Sequence, residues 1–327
     1  MNSRVFMNLF DTFDELYIAT LDLVSNNYEF ENSPRGYSER EVIGFSCKLT
    51  NPLSRYCFHP MRKQNIIFNY AEALWYLSGK NDLDFISRYA PSMAKYSADG
   101  KTLPGTGYGN KLLHFGSSDL NQISRAVDII KNDDADSKRV FLQIFSADED
   151  IYKTNIDVSC TLGLQLLLRA GKLHMVAYMR ANDAYVGMLG DIFSFTFIQE
   201  FIASMLDCEV GQYTHNVGSI HIYQHNQEKV QSILDNPFET FETTHSPPVM
   251  PKSNFSVISK VLEYENKICH SELSLDDINQ LPLDEYWIEI LRLFKVNAYF
   301  QNGESVPDML IQRIHPFHRS FLLNKLK

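Results

Sequence analysis

Residues 157–187 read DVSCTLGLQLLLRAGKLHMVAYMRANDAYVG, and this stretch decides the fold. Two apolar runs flank Arg169-Ala170-Gly171-Lys172, a hairpin signal, because a tight turn between strands needs residues that tolerate positive φ. The second run breaks at a polar cluster, Arg180-Ala181-Asn182-Asp183. Beyond it, 191–207 (DIFSFTFIQEFIASMLD) reads as a long apolar helix that Asp191 opens as an N-cap. Then 211–224 (GQYTHNVGSIHIYQ) alternates polar with apolar residues as a half-buried strand does. His221 and Tyr223, two apart, share one face of that strand.

Outward from this centre, 138–146 and 41–49 are rich in strand formers, while 11–25, 65–78, 118–131 and 284–300 carry helical spacing. Residues 90–111 hold four glycines and two prolines and read as an irregular loop, the kind that often carries function. A turn-rich stretch at 236–253 divides a core over 1–235 from a C-terminal segment, 236–327, expected to complete or extend the same domain. Long helices mixed with hairpin-connected strands imply an α+β fold, with helices packed on a mostly antiparallel sheet.

Composition narrows the function classes. A chain of 327 residues, 44% of them hydrophobic, buries enough surface to fold without staples. Thirty basic against forty acidic residues give a net charge of −10, which excludes non-specific binding to nucleic acid polymers. Mean hydropathy is −0.23, and no uninterrupted apolar run approaches the ~20 residues of a membrane span. The first thirty residues carry acids inside their apolar pattern, unlike a signal peptide. The five cysteines (Cys47, Cys57, Cys160, Cys208, Cys269) are odd in number and form no CxxC. That argues against a disulfide framework or a structural zinc site and makes a reducing cytoplasm the expected compartment.

The order and spacing of the polar features carry a resemblance. Cys160, then Arg180-Ala181-Asn182-Asp183, then Val186-Gly187-Met188-Leu189-Gly190-Asp191, then Gly218-Ser219-Ile220-His221-Ile222-Tyr223 resemble the core of the thymidylate synthase family. Asp136-Ser137-Lys138-Arg139, Ala71-Glu72-Ala73-Leu74-Trp75 and Tyr108-Gly109 are similar to further family segments, and the likeness covers roughly 35–226. It implies a thymidylate-synthase-like fold and a homodimer. It also implies a reaction in which Cys160 adds to C6 of a pyrimidine nucleotide, and C5 takes a one-carbon unit from 5,10-methylenetetrahydrofolate. By the same resemblance, Arg180 and Arg35 would bind the nucleotide phosphate, with Lys138 and Arg139 reaching in from the other subunit. Glu72 and Tyr108 would handle protons at the base, Asp183 would position the ring, and His221 and Tyr223 would hold the sugar hydroxyls. Arg180, as a nearby cation, would favour the Cys160 thiolate.

Departures from the family pattern point to the substrate. The family's base-reading asparagine is Asp191 here, and a carboxylate cannot donate to uracil O4, whereas it accepts from a cytosine amino group. One carboxylate could both read the base and cap the helix. Ala181 replaces a family serine and Lys138 a family arginine, changes similar to those in CMP hydroxymethylases of nucleoside-antibiotic pathways. The loop Met93-Ala94-Lys95-Tyr96-Ser97-Ala98 lacks the family's tryptophan, and the family's closing tail is not recognisable in the ending HRSFLLNKLK. A wetter pocket would let water rather than hydride complete the reaction. The expectation is therefore CMP 5-hydroxymethylase, with dCMP hydroxymethylase, thymidylate synthase and a non-catalytic nucleotide-binding relative as alternatives. A flavin- or SAM-using methylase is disfavoured, since no G-x-G-x-x-G stands in strand–helix context.

Overall fold

The computed structural model describes residues 8–151, 155–241 and 245–326. Residues 1–7, part of the stretch read above as no signal peptide, and Lys327 of the ending lie outside the described residues. Among the described residues, seven strands form one mixed sheet: β1 (Asn8–Phe10), β2 (Phe30–Asn32), β3 (Glu39–Leu49), β4 (Phe141–Gln143), β5 (Thr161–Arg169), β6 (Lys172–Asp183) and β7 (Glu209–Tyr223). Their order is β1-β3-β7-β6-β5-β4, with β2 also on β3.

The hairpin forms where the sequence places it. Arg169 pairs with Lys172, and Ala170 (φ 50°) and Gly171 (φ 73°) are both left-handed, the conformation a two-residue turn needs to match strand twist. The pairs β2–β3, β3–β7, β4–β5 and β5–β6 are antiparallel, as expected. β6 and β7 instead run parallel, which requires a crossover between them.

A long helix provides that crossover. We label the helices used below α1 (Phe13–Asn26), α2 (Ile66–Leu77), α3 (Gly187–Leu206), α4 (Phe255–Cys269) and α5 (Glu285–Gln301). α3 starts four residues earlier than expected, so the N-cap reading of Asp191 is corrected. The N-cap is Val186, which has no capping side chain; Asp183 instead fixes the turn leading into the helix, its Oδ1 accepting from the backbone N–H of Tyr185 (2.9 Å) and of Val186 (3.1 Å). Asp191 therefore sits in the second turn, free to point into the site. Ile192, Phe193, Phe195, Phe197 and Ile198 are all fully buried, which marks a helix apolar all round and packed inside the core. α3 is long and apolar enough to cross a membrane, but burial of this kind identifies it as a core helix.

α2 begins at Asn65, whose side chain accepts from Phe68 N–H, and packs on α3, carrying Glu72 inward. The C-terminal helices α4 and α5 pack against α2. A buried polar tie reinforces this contact, His318 bridging Glu289 (2.9 Å) to the Tyr70 hydroxyl (3.0 Å), while Arg88, just after the short helix Leu83–Ser87, pairs with Glu265 of α4 (3.1 Å). The loop at 90–111 resolves into a 3₁₀ turn, Pro91–Tyr96, and a short helix, Tyr108–Leu113. The strand expected over 138–146 is pared to the three residues of β4.

Candidate active site

Cys160 lies at the entry to β5, and its segment is held by Arg180 of β6. Arg180 N–H donates to Cys160 O (2.8 Å). Its guanidinium donates to Ser159 O (2.9 Å) and Val158 O (3.1 Å), and Nη2 lies 3.7 Å from the Cys160 sulfur. Asp150 accepts from Ser159 N–H (2.8 Å) and fixes the same turn from the other side. Gly218 makes the close approach of β7 possible, because a Cβ there would stand 2.8 Å from Arg180 O. Burial pushes the Cys160 thiol up, Arg180 and Arg35 pull it down, Asp191 pushes it up, and the net direction is up. The nearby cations do favour the thiolate, as expected, but enclosure outweighs them. The thiol keeps its proton at neutral pH.

Asp191 and Tyr108 lie near this sulfur, and Glu72 stands behind Asp191. The charge of Asp191 bears on Cys160, Glu72 and Tyr108 alike. Burial pushes Glu72 up to about 8, reinforced by Asp191, while the Ser194 hydroxyl donates to its Oε2 (3.0 Å). Tyr108, stacked on Tyr76, accepts from the Thr161 hydroxyl (3.1 Å), and burial keeps its phenol protonated. Enclosure lifts Asp191 to about 7 against the opposing hydrogen bond from Asn182.

That hydrogen bond ends a buried relay. Asn182 Nδ2 donates to Asp191 Oδ2 (2.7 Å), Asn182 Oδ1 meets His215 Nε2 (2.9 Å), and His215 Nδ1 meets the Tyr213 hydroxyl (2.8 Å). Burial drives His215 down to about 3, so its ring is neutral and carries one N–H. With the Asn182 amide donating to Asp191, its carbonyl must accept, so His215 donates from Nε2 and accepts from Tyr213 at Nδ1. The direction of every bond is fixed, and Asp191 Oδ2 is held as an acceptor. A proton on Asp191 therefore sits on Oδ1.

Asp183, His221 and Tyr223 lie side by side, since Asp183 pairs with His221 across β6–β7. Burial pushes Asp183 up and His221 down, and the charge of each opposes that shift in the other. Arg35 sits in an exposed 3₁₀ turn, Pro34–Gly36, in the left-handed region (φ 54°). Its charge reaches both Cys160 and Tyr223. Ala181 pairs with Ser219 one step along the strand. Lys138 and Arg139 are not brought to Cys160 in this chain. They line an open surface depression of about 500 Å³ with Asp133, Asp134, Asp136 and Ser137, and Arg139 pairs with Asp133 (3.1 Å).

Sequence reasoning missed Asn182, His215 and Tyr213. The first lies inside the quoted R-A-N-D, and His215 and Tyr213 alternate on β7 in phase with each other. Their partnership with Asn182 is a side-chain contact between neighbouring strands, His215 Nε2 to Asn182 Oδ1, which the one-dimensional pattern does not display.

A family model described as thymidylate synthase matches residues 16–263. Among curated proteins, the deoxyuridylate hydroxymethyltransferase of Bacillus phage SP01 is 27% identical over 86% of this chain and 74% of its own length. Those of Pseudomonas phage M6 (30% over 59% of this chain) and Delftia phage PhiW-14 (26% over 66%) are matched over 55% and 61% of their lengths, less than two thirds. Among solved structures, thermostable thymidylate synthase A from Bacillus subtilis superposes with a TM-score of 0.59 at 21% identity, covering 71% of this chain and 86% of that one, a likeness of fold.

Proposed function

The chain belongs to the thymidylate synthase family, as a hydroxymethyltransferase-type one-carbon transferase, and on that premise we propose that its substrate is CMP, hydroxymethylated at C5. The observation that carries the cytosine reading is Asp191 at the end of its polarity-fixed relay. With Oδ1 toward ring N3, a carboxyl near pKa 7 shares its proton with N3, while Oδ2 accepts from the amino group. Uracil in that pose sets N3–H against O–H and O4 against Oδ2. A site built for one hydrogen-bond pattern rejects the other heavily.

The remaining roles follow from the same premise. The Cys160 sulfur would add to C6 as the C5–C6 π bond opens, its proton passing to water at the site. Arg180 and Arg35 hold the phosphate, and Arg180 at the same time fixes the sulfur's segment. Glu72, still protonated at neutral pH, and Tyr108 hold and move protons at the base. Asp183 positions the ring, while His221 and Tyr223 hold sugar hydroxyls. The one-carbon unit comes from methylenetetrahydrofolate. The side chains fit such a donor, since Cys160 supplies a nucleophile toward the nucleotide and Glu72 a proton-holding carboxyl. In the proposed homodimer, Lys138 and Arg139, free of Cys160 in their own chain, would serve the partner's phosphate site.

A second reading, deoxyuridylate as substrate, is favoured by the names of the three phage relatives. Turnover of CMP, dCMP, UMP and dUMP with methylenetetrahydrofolate, side by side, separates the two. Cytosine nucleotides turning over fastest supports the proposal, and dUMP turning over fastest replaces it.

A further inference from the structure

The sugar end of the site contains a buried acid with no hydrogen-bond partner for one of its oxygens. Glu39 opens β3 directly opposite Tyr223 of β7, and Glu41 stands opposite His221. His221 is flanked on its other side by Asp183 of β6. Directly opposed residues share a sheet face, so three acids gather around one imidazole. Two of them are engaged. Glu41 accepts from the Ser219 hydroxyl and from Asn32 Nδ2, and Asp183 accepts from two backbone N–H groups. Glu39 is only 5% exposed, and its Oε2 is buried with no hydrogen-bond partner among the described residues.

That oxygen stands 3.8 Å from His221 Nε2. The distance is too long for a hydrogen bond and suits a single hydroxyl oxygen bonded to both. Leaving a buried carboxylate oxygen unpartnered is costly, and burial together with Glu41 and Asp183 already pushes this group up to about 7. Glu39 also borders a cavity of about 240 Å³, shared with Ser38 and Gln224. For a deoxyribose, whose one secondary hydroxyl His221 and Tyr223 can hold, a further buried acid at this point is redundant. For a ribose it is not, since a vicinal diol needs a second acceptor and an acidic side chain accepts well from a 2′-hydroxyl.

We propose that Glu39 is a specificity-determining residue that reads the ribose 2′-hydroxyl, which donates to its Oε2 and accepts from His221 Nε2. This inference rests on the ribonucleotide reading above and names the residue that makes it.

The test compares kcat/KM for CMP and dCMP in the wild type and in Glu39→Gln, and for UMP and dUMP in parallel. The ribo-to-deoxy ratio should fall at least about tenfold in Glu39→Gln, mainly through a higher KM for CMP. An unchanged ratio, or an equal loss on both sugars as a purely structural role gives, overturns the proposal. Should the variant not fold, the wild type still tests it with 2′-fluoro-2′-deoxy-CMP, which cannot donate to a carboxylate. That compound should bind no better than dCMP, and binding equal to CMP overturns the inference. An enzyme that prefers uracil overturns the base reading alone, because the UMP-to-dUMP ratio then tests Glu39. A wild type that prefers deoxynucleotides in both base series overturns the Glu39 inference itself.

Discussion

Asp191 and Glu39 are both carboxyls lifted to about 7 by their enclosure, yet the fold treats them in opposite ways. Asp191 terminates a chain of four residues in which the direction of each hydrogen bond is fixed. Glu39 keeps one buried oxygen without a hydrogen bond, beside an imidazole slightly out of reach. The contrast teaches which end of the site is complete within the chain. The network around Asp191 closes within the protein, whereas Glu39 leaves one carboxylate oxygen unpartnered among the described residues, 3.8 Å from His221 Nε2. A fully satisfied network rigidifies, whereas a half-satisfied one carries a desolvation cost that a bound group can relieve.

The largest expected effect breaks the base end. Asp191→Asn exchanges a carboxyl for an amide that can donate to O4, so the ratio of cytosine to uracil turnover should fall by up to about 10⁴-fold. Rates on CMP and UMP measure it, and a ratio that does not move removes the proposed role of Asp191. Next comes the relay itself. Asn182→Ala strips partners from Asp191 Oδ2 and His215 Nε2 together and should cost about 2 kcal/mol or more in urea unfolding. A change under about 0.5 kcal/mol would mean the chain is loosely held.

The third prediction sharpens the contrast through pH. Glu39 and Glu72 have folded-state values of about 7 and about 8, above the ordinary 4.5, so the native state holds more protons than the unfolded chain in between. Stability should therefore be fully present below about pH 4.5 as far as these groups are concerned, and should fall as pH rises toward 8. Thermal melts at pH 5 and pH 8 read it. Glu39→Gln should melt a few degrees above the wild type at pH 8 and level with it at pH 5. A destabilised variant at pH 8 would mean that Glu39 is satisfied after all. The smallest effect is Ala181→Ser, beside Ser219 on the strand. It should lower the CMP-to-dCMP ratio only a few-fold, and an unaltered ratio would take Ala181 out of the sugar argument.

Much of this architecture is legible along the chain, for identifiable reasons. The 169–172 turn, α2 and β7 announce themselves because their signals are local: positive-φ tolerance, helical spacing, strict alternation. The start of α3 is misread because Asp191 after a glycine looks like a cap, while the actual N-cap, Val186, carries no capping side chain to signal it. Asp191, the proposed base-reading acid, is visible through its place in the C-x-R-x-D-x-D order. Its supporters are not, since His215 and Asn182 lie on different strands, 33 positions apart, and meet only through their side chains. Glu39 is more hidden still, lying 184 positions from the Tyr223 it pairs with. The Cys160 environment shows the limit of charge counting, because the arginines are where the pattern puts them and burial still wins.

The account is tested most directly by a single-turnover reaction of the enzyme with CMP and methylenetetrahydrofolate, followed by mass spectrometry of the nucleotide. A mass gain corresponding to one CH₂O, lost in Cys160→Ser, is the predicted result. A gain of CH₂ alone, or turnover of dUMP with CMP untouched, would contradict it.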